Sequence, residues 1–416
     1  MKKFAMIILA ASAALLWGFH KETSEGTSLR LPSGFSAEVF ADGLGEARHL
    51  VVSPQGNVFV KLGKLKDGKG IILLQDVNRD GKAEKESGFG TFEGTGIAIG
   101  NDYLYASSDE QVYRYALDGK GNVKDPDSPE LIVTGLINRH QHAAKAITLD
   151  TRGHLYVNIG AYSNACQERD RTKGSPGMKP CPILDSAGGI WQFNAAKRNQ
   201  SYGDGKRYVT GLRNVVGLDW NEELNQLFVT QHGRDQLFQL FPDLYDAKQS
   251  AELPSETLYA VKEGDDCGWP YIYYDHIQKK KILAPEYGGD GKKTGGEKAI
   301  DPAVGFPGHL APNALLFYTG KMFPAKYRNG AFIAFHGSWN RAPEIQKGYF
   351  VAFVPFKNGK PAGEWEVFAD NFAGKENLKS PGEAEHRPCG LAQGPDGALY
   401  VADDVKGTIY KITYTK

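Results

Sequence analysis

The segment HAAKAITLDTRGHLYVNIG, residues 142–160, contains the unit from which the chain is built. Small residues lead into a short apolar strand, an Asp/Gly turn follows, and a second strand rich in aromatic and β-branched residues comes next. Five other segments follow the same order: RHLVVSPQGNVFV (48–60), TGIAIGNDYLYAS (95–107), LRNVVGLDWNEELNQLFVTQHG (212–233), APNALLFYTGKMFPAKYRNGAFIAFHG (311–337) and RPCGLAQGPDGALYVADD (387–404). Six copies of one strand–turn–strand unit indicate a repeat architecture.

The repeats predict an all-β fold, a six-bladed β-propeller with four-stranded antiparallel blades. Most copies are followed by another alternating run, such as residues 111–116 and 408–413, which brings each unit to about four strands. The strand FSAEVFA, Phe35–Ala41, precedes the first copy, and we expect it to pair with the last blade and close the ring. Two stacked β-sandwich domains are the alternative, but no linker of domain-boundary composition interrupts the series.

Two long stretches without clear strand pattern, residues 161–186 and 252–307, predict insertions in the later blades. Helical periodicity is confined to short turns near residues 243–250. The 50 glycines, 21 Phe and 20 Tyr suit many short strands joined by tight turns. Because 49 basic residues balance 49 acidic ones, the chain carries no net field that would attract nucleic acid.

The N-terminus has the charge order of a secretory signal. Met1-Lys2-Lys3 precedes an apolar run over residues 4–19, which is short for a membrane span. We therefore predict a signal peptide and short linker over residues 1–28 and a single propeller domain over residues 29–416. The expected location is periplasmic or secreted, with no stable membrane span after signal removal. An uncleaved anchor is the alternative.

Export permits disulfide bonds. Cys166 and Cys181 flank a polar loop containing Gly and Pro, and we predict a bridge between them. Closing a loop of this length restrains the unfolded chain by roughly 3 kcal/mol. Cys267 and Cys389 are either buried thiols or a second bridge. No C-x-x-C pair is present, which argues against a zinc or haem site.

Residues at the starts of innermost propeller strands face the central channel, and several of them can do chemistry. His142 is a candidate general base near neutral pH. A structural histidine held by the backbone is the alternative, and His140 is a second candidate for the same role. Arg213 and Asn214 occupy the corresponding place in the next blade, where a permanent guanidinium charge suits a carboxylate or a developing oxyanion.

Further hydrogen-bond donors are expected at the same end of the central channel, and their number predicts an anionic ligand. These donors are Arg387, Asn340 and Arg341, and for any single arginine an inter-blade ion pair is the alternative. Arg48 and His309 head their own blades and are weaker candidates for contact with the substrate.

Two segments are candidate cation sites. The turn at Gly233 and Arg234 could offer backbone carbonyl oxygens to calcium, although a glycine turn alone is more often only a turn. The loop with Asp76, Asn78 and Asp80 has the oxygen spacing of a calcium loop, but the twelfth position of an EF-hand would be Ser87 rather than Glu. An Asp-Gly turn is its alternative.

Six motifs together resemble the glucose/sorbosone dehydrogenase family, six-bladed propellers that use pyrroloquinoline quinone (PQQ) and calcium. The resemblance covers residues 31–414 and is carried by His142 fourteen residues before Tyr156, and by GLRNVVGL (211–218), TQHGRDQL (230–237), CGWP (267–270), HGSWNR (336–341) and the 387–404 segment. The NACQ and KPCP pair around Cys166 and Cys181 is similar to the sorbosone or pyranose dehydrogenase branch.

The resemblance implies a function: PQQ-dependent oxidation of a sugar or sugar-derived aldehyde. It implies that His142 takes the hydroxyl proton while a hydride passes to the quinone. Arg213, with Asn214 beside it, would stabilise charge on the quinone oxygen, and Arg387 would pair with a cofactor carboxylate. The carbonyls of Gly233 and Arg234 would hold a calcium ion that polarises the quinone.

Two positions depart from the glucose branch of the family. An Asp that orients the histidine in that branch is Ala161 here, so Asn164 or a backbone carbonyl must take its place. A second cofactor arginine falls on Cys389, and Trp339, Asn340 and Arg341 are the candidates for that contact, with Trp339 also able to stack on a sugar.

The partners expected are a small sugar or aldehyde substrate and a separate electron acceptor, a cytochrome or quinone, because no C-x-x-C-H haem site is present. Two other functions are alternatives. One is a calcium-dependent lactonase or other hydrolase on a propeller, which would need carboxylates converging in the channel. The other is a non-catalytic carbohydrate-binding propeller.

Overall fold

The computed structural model describes residues 22–23 and 27–415. The apolar N-terminal run, residues 4–19, lies outside the described residues. Within the described ranges, no helix has the length and apolar character needed to cross a bilayer.

Six antiparallel sheets surround a central channel, which confirms the predicted six-bladed β-propeller. Each innermost strand contacts the innermost strand of the next blade, and the sixth contacts the first, so the ring is closed. The strands of blades 1 to 3, from the channel outwards, are Ala47–Val52, Val58–Lys66, Lys69–Gln75 and Lys85–Phe89; Ile97–Gly100, Tyr103–Ser107, Val112–Ala116 and Glu130–Thr134; and Ile147–Leu149, His154–Ile159, Gly189–Asn194 and Lys206–Thr210.

Blades 4 to 6 have the same order. Their strands are Leu218–Asn221, Gln226–Gln231, Glu256–Val261 and Val304–Phe306; Pro312–Phe317, Ala331–Phe335, Phe350–Val354 and Glu366–Ala369; and Pro388–Gln393, Leu399–Asp403, Ile409–Tyr414 and Phe35–Ala41. The last of these confirms the closure expected from the sequence, because Phe35–Ala41 pairs antiparallel with Ile409–Tyr414. Closure by the N-terminal strand gives blade 6 its outermost strand.

Blades 2 and 3 have five strands instead of the predicted four. Two-residue strands, Gln200–Ser201 and Asp265–Asp266, add in parallel to their outer edges. Three further two-stranded pairs lie outside the blades: Glu22–Thr23 with Arg30–Leu31, Ile272–Asp275 with Lys280–Leu283, and Phe356–Lys357 with Lys360–Pro361.

Alternation along each strand builds a separate apolar cluster between every pair of neighbouring blades. In the strand His154–Ile159, the side chains of Leu155 and Val157 pack against blade 2, whereas Tyr156 packs against blade 4. In blade 1, likewise, Val58 packs against blade 6 and Phe59 packs against blade 2. Because successive side chains point to opposite faces of a strand, one blade serves two interfaces.

Helix is sparse, as expected. The α-helices are Leu237–Leu240 and Ala247–Glu252, and Asp246 caps the second through its side chain. Five 3-10 turns occur in the described chain, at Pro182–Asp185, Tyr202–Asp204, Pro285–Tyr287, Ala325–Tyr327 and Pro381–Glu383.

The insertions pack together on the side of the ring where the innermost strands begin. The second insertion is narrower than predicted, because residues 252–307 include two strands of blade 4, Glu256–Val261 and Val304–Phe306. The two insertions meet where Gly177 N donates to Glu286 O and Tyr271 Oη accepts from Cys181 N.

The predicted bridge between Cys166 and Cys181 is confirmed. Cys267 and Cys389 are buried free thiols, which decides between the two alternatives left by the sequence.

Candidate active site

A cavity of about 250 Å³ lies at the end of the central channel where the innermost strands begin. Three successive blades and both the 161–188 and 336–349 connections contribute to its wall. It is lined by His142, Arg171, Arg213, Asn214, His232, Gly233, Asp235, Glu256, His309, Ala311, Trp339 and Asn340. Residues distant in sequence thus meet at one point, as the repeat pattern predicted.

His142 is held by the backbone in one tautomer. Its Nδ1 lies 2.5 Å from the carbonyl oxygen of Ala161, which can only accept, so Nδ1 carries the proton and Nε2 keeps its lone pair. Gly160 permits this packing, because a Cβ there would lie 2.5 Å from the His142 carbonyl oxygen. A backbone carbonyl therefore takes the orienting role for which the sequence offered Asn164 or a carbonyl.

The surroundings keep the His142 imidazole neutral. Burial, and then the positive charge of Arg213, hold its pKa well below the ordinary value. The other candidate, His140, is exposed and is not part of the cavity wall. The geometry thus favours His142 over His140 as a proton acceptor.

Arg213 is buried and shares a carboxylate with a second arginine. Its Nη2 donates to Asp235 Oδ2 at 2.7 Å and to Asn164 Oδ1 at 3.1 Å. Arg171, from the disulfide-closed loop, donates through Nη2 to the same Asp235 oxygen at 2.8 Å. Burial lowers the pKa of Arg213, with Asp235 opposing that change. Asn164 thus supports the arginine rather than the histidine.

Three polar atoms of cavity-lining side chains are buried without a hydrogen-bond partner among the described residues. They are Arg213 Nε, Asn214 Oδ1 and Asn340 Nδ2. Buried polar groups in folded proteins are nearly always paired, so such atoms point to a ligand. Two donors and one acceptor fit an anionic ligand that also carries an N–H or O–H group.

At the turn of Gly233 and Arg234, Gly233 lines the cavity and Arg234 does not. Gly233 N donates to Glu256 Oε2 at 3.1 Å, and burial raises the pKa of Glu256 to about 8. Among the described residues, neither the Gly233 nor the Arg234 carbonyl oxygen accepts a hydrogen bond. The Arg234 side chain is buried elsewhere, in an ion pair of 2.6 Å with Glu286. The turn therefore offers backbone oxygens only.

Several predicted residues lie outside the cavity wall. Arg387 donates through Nε and Nη2 to the carbonyls of His336 and Gly337, and Arg48 pairs with Asp404 at 2.7 Å. The Arg341 guanidinium is taken up by Glu252 and the carbonyls of Ala251, Gly308 and Ile345. The structure does not bring Arg341 to the cavity, because its fixed donors are all committed to the support of the adjacent loops.

His309 and Trp339 do reach the cavity. His309 Nε2 lies 2.8 Å from Ser250 O and its Nδ1 lies 3.8 Å from Asp235 Oδ1, so both of its nitrogens face protein groups. Trp339 is 56% exposed at the rim. A large exposed aromatic ring at a cavity edge is suited to stacking on the apolar face of a sugar.

The candidate calcium loop at Asp76, Asn78 and Asp80 lies on a blade 1 turn, away from the cavity. Carboxylate oxygens of Asp76, Asp80 and Glu84 lie within 4.8 Å of one another. Asn78 instead uses its Oδ1 to accept from Asp80 N. In the described part of the chain this is the single set of three acidic, His or Cys side chains so close together.

Three further residues of the cavity wall were not predicted from the sequence: Arg171, Asp235 and Glu256. Asp235 falls inside the TQHGRDQL motif, two positions after Gly233, and that position was its one signal. Glu256 and Arg171 reach the cavity through chain connections whose course depends on the folded insertions, which no periodicity in the sequence indicates.

Comparison with known proteins identifies a family for this chain and solved structures with a similar fold. A family model described as TrAA12-like matches residues 29–415. The chain is 23% identical, over 91% of its length and 87% of the relative's, to a protein of Hypocrea jecorina named pyrroloquinoline quinone-dependent sugar dehydrogenase.

Solved structures share the fold. The holo form of the pyranose dehydrogenase PQQ domain from Coprinopsis cinerea superposes with a TM-score of 0.72 at 19% identity, covering 94% of this chain and 98% of that one. A calcium structure of a family AA12 protein from Trichoderma reesei gives a TM-score of 0.73 at 19% identity, covering 92% and 96%.

Proposed function

Because the chain belongs to the TrAA12-like family, we propose that it is a PQQ- and calcium-dependent dehydrogenase that oxidises a sugar or a sugar-derived aldehyde. The observation that carries the proposal is the cavity itself, where a neutral histidine of fixed tautomer lies beside a buried arginine whose Nε has no partner among the described residues. The names of the Hypocrea jecorina and Coprinopsis cinerea proteins support the cofactor.

His142 is the general base of this proposal. Its Nε2 takes the proton of the substrate hydroxyl, since Nδ1 is committed to the Ala161 carbonyl. The lowered pKa keeps the imidazole ready to accept a proton across the neutral range. Bound PQQ supplies the two-electron acceptor for the C–H hydride.

The cofactor would be held by three side chains, each of which has one polar atom without a hydrogen-bond partner among the described residues. Arg213 and Asn340 offer donors to quinone or carboxylate oxygens, and Asn214 offers an acceptor. The free carbonyls of Gly233 and Arg234 are oxygen ligands of the kind that calcium prefers. Arg387, whose donors go to two carbonyls, would have to exchange one of them to reach a cofactor carboxylate.

A small substrate would bind at the rim of the cavity. Trp339 would form a stacking surface for the sugar. Electrons would leave to a separate acceptor, a cytochrome or quinone. The proposed setting is periplasmic or secreted, with residues 1–28 acting as signal and linker before one propeller domain.

Hydrolysis by a cavity-bound calcium is less well supported. Two carboxylates, Asp235 and Glu256, do line the cavity, contrary to the expectation of His, Arg and Asn alone. However, Asp235 is neutralised by two arginines, and the raised pKa of Glu256 keeps it protonated at neutral pH. Neither is available as a charged ligand for a substrate-binding metal.

Reconstitution of the purified apoprotein with PQQ and calcium tests the proposal. Dye reduction should appear with aldoses or 2-keto-aldehydes only when the quinone is present. His142→Ala should lower kcat by about 10³-fold, while PQQ affinity stays within about threefold of wild type. His140→Ala is the matched control and should retain full turnover, because His140 is exposed and outside the cavity wall. Quinone-independent turnover, or full activity of His142→Ala, would refute the proposal.

A further inference from the structure

Arg171 connects the disulfide-closed loop to the candidate active site through a shared carboxylate. Asp235 Oδ2 accepts from Arg213 Nη2 at 2.7 Å and from Arg171 Nη2 at 2.8 Å. Two guanidinium groups thus compete for a single oxygen atom. Asp235 is 6% exposed and Arg213 is 4% exposed, so solvent screens their interaction only weakly.

The charge count around this carboxylate leaves a positive surplus in the cavity. Arg171 and Arg213 both donate to one Asp235 oxygen, so these three side chains together carry two positive charges and one negative charge. Burial lowers the pKa values of His142 and His309, so these two imidazoles are neutral near pH 7. One net positive charge therefore remains for a ligand.

The loop holds Arg171 in a fixed position. The Cys166–Cys181 bridge closes the loop, and neighbouring Asp170 accepts from Ser163 Oγ at 2.6 Å and from Asn164 N at 2.9 Å. Arg171 Nη1 also donates to Gln236 Oε1 at 3.0 Å. A cation fixed in this way adds its charge at little cost in side-chain entropy when a ligand arrives.

We infer that Arg171 is a positioning residue of the active site, which draws on the Asp235 carboxylate and so leaves the Arg213 guanidinium free to bind an anion. Without Arg171, Asp235 would neutralise Arg213 alone. Without the negative charge of Asp235, the positive charges of both arginines would be available to a ligand in the cavity. The inference rests on the proposed function for the identity of the anion, but the arrangement of charges stands on the contacts above.

The two neighbours of Arg213 therefore have opposite effects, and a structural role would not produce that pattern. Oxalate, a redox-inactive dianion, is the probe, and calorimetric titration of the apoprotein at low ionic strength measures its affinity. Arg171→Gln should weaken oxalate binding about tenfold, whereas Asp235→Asn should strengthen it about fivefold. Arg171→Lys should be intermediate, because it keeps the charge but loses the planar fork.

The matched control is Arg169→Gln, which removes an exposed arginine from the same loop and should leave oxalate affinity unchanged. A double-mutant cycle then separates action through Asp235 from direct contact. If Arg171 acts through Asp235, Arg171→Gln should lose most of its effect in the Asp235→Asn background; additive effects would show direct contact and overturn the inference.

Three other outcomes also decide the matter. If Arg171→Gln and Asp235→Asn weaken oxalate binding equally, the role of Arg171 is merely structural. If the wild-type apoprotein does not bind oxalate, the cavity has no surplus positive charge. Either result overturns the inference. If the oxalate pattern holds while PQQ fails to bind, the inference stands and the proposed function fails.

Discussion

The two ends of the central channel differ in size and in charge, and the smaller end has the candidate chemistry. The cavity at the far end, where the innermost strands finish, measures about 420 Å³ against about 250 Å³ at the candidate site. Residues from the innermost strands of all six blades line the larger cavity, among them Leu50, Ile99, Thr148, Asp219, Leu316 and Gln393. Among the residues that the structure describes, no arginine or lysine lines this cavity, whereas Arg171 and Arg213 line the smaller one.

The difference in charge between the two ends is clearest when Asp235 at the candidate site is compared with Asp219 at the far end. At the candidate site, burial opposes ionisation of Asp235, but the positive charges of Arg213 and Arg171 outweigh burial and the pKa of Asp235 is lowered. At the far end, burial raises the pKa of Asp219 to about 7, and its carboxyl accepts from Phe317 N at 2.7 Å. Of these two aspartates, the one beside the assembled cations holds its charge, so charge rather than volume distinguishes the candidate site.

The strongest test of this contrast is removal of the Arg213 charge. Arg213→Gln should lower kcat/KM of the reconstituted enzyme by about 10²- to 10³-fold, because a buried donor to developing charge is lost. Steady-state dye reduction at saturating PQQ and calcium measures the effect. The Asp235 carboxylate keeps Arg171 as a partner, so the fold should survive.

Arg48→Gln is the matched control for that variant. Arg48 is the second residue of the innermost strand Ala47–Val52, but it is paired with Asp404 and lies outside the cavity wall. Loss of one partner of this largely buried pair should lower the free energy of unfolding by about 3 kcal/mol, with little change in kcat of the folded enzyme. Equal losses of kcat in both variants would remove the distinction between a ligand-binding arginine and a structural one.

The next effect concerns the loop that supplies Arg171. Replacing both Cys166 and Cys181 by Ser should lower the free energy of unfolding by about 3 kcal/mol, because the unfolded chain regains the freedom of the loop. Denaturant unfolding measures this change, and oxalate affinity should fall with it as Arg171 loses its fixed position. Cys267→Ser, at a buried free thiol, is the control and should cost about 1 kcal/mol without any change in oxalate affinity.

Most of the fold was predictable because each blade repeats one local pattern. Alternation in segments such as residues 154–159 determines which side chains enter each inter-blade cluster, and the strand at Phe35–Ala41 was recognisable because it stands before the first repeat. The extra outer strands of blades 2 and 3 were missed because two-residue segments at Gln200 and Asp265 carry no periodicity.

The candidate site was predictable where it depends on the starts of innermost strands and not where it depends on insertions. His142, Arg213 and Asn214 reach the cavity by their place in the repeat. Arg341 follows a recognisable motif, yet its guanidinium turns to Glu252 and nearby carbonyls. Arg171 has no place in the repeat, and the disulfide-closed loop alone brings it to the cavity.

The smallest predicted effect is a change in the pH dependence of stability, and it follows from the raised pKa of Asp219 at the far end. In the unfolded chain this carboxyl titrates near 3.8, and in the folded protein it titrates near 7. The folded state therefore binds one more proton than the unfolded state between these values, and stability falls as pH rises through that window. Asp219→Asn keeps an acceptor for Phe317 N but cannot ionise.

Unfolding curves of wild type and Asp219→Asn should therefore agree near pH 4 and separate towards pH 7, with the variant the more stable. Because the carboxyl lines an open cavity, solvent screening should limit the difference at pH 7 to about 1–2 kcal/mol. The kcat of the reconstituted enzyme should not change, since no group at this end reaches the substrate in the proposed function. Parallel stability curves from pH 4 to 7 would show that Asp219 ionises as it does in water. In that case the two aspartates do not differ in charge, and the difference in charge between the two ends rests on Arg213 and Arg171 alone.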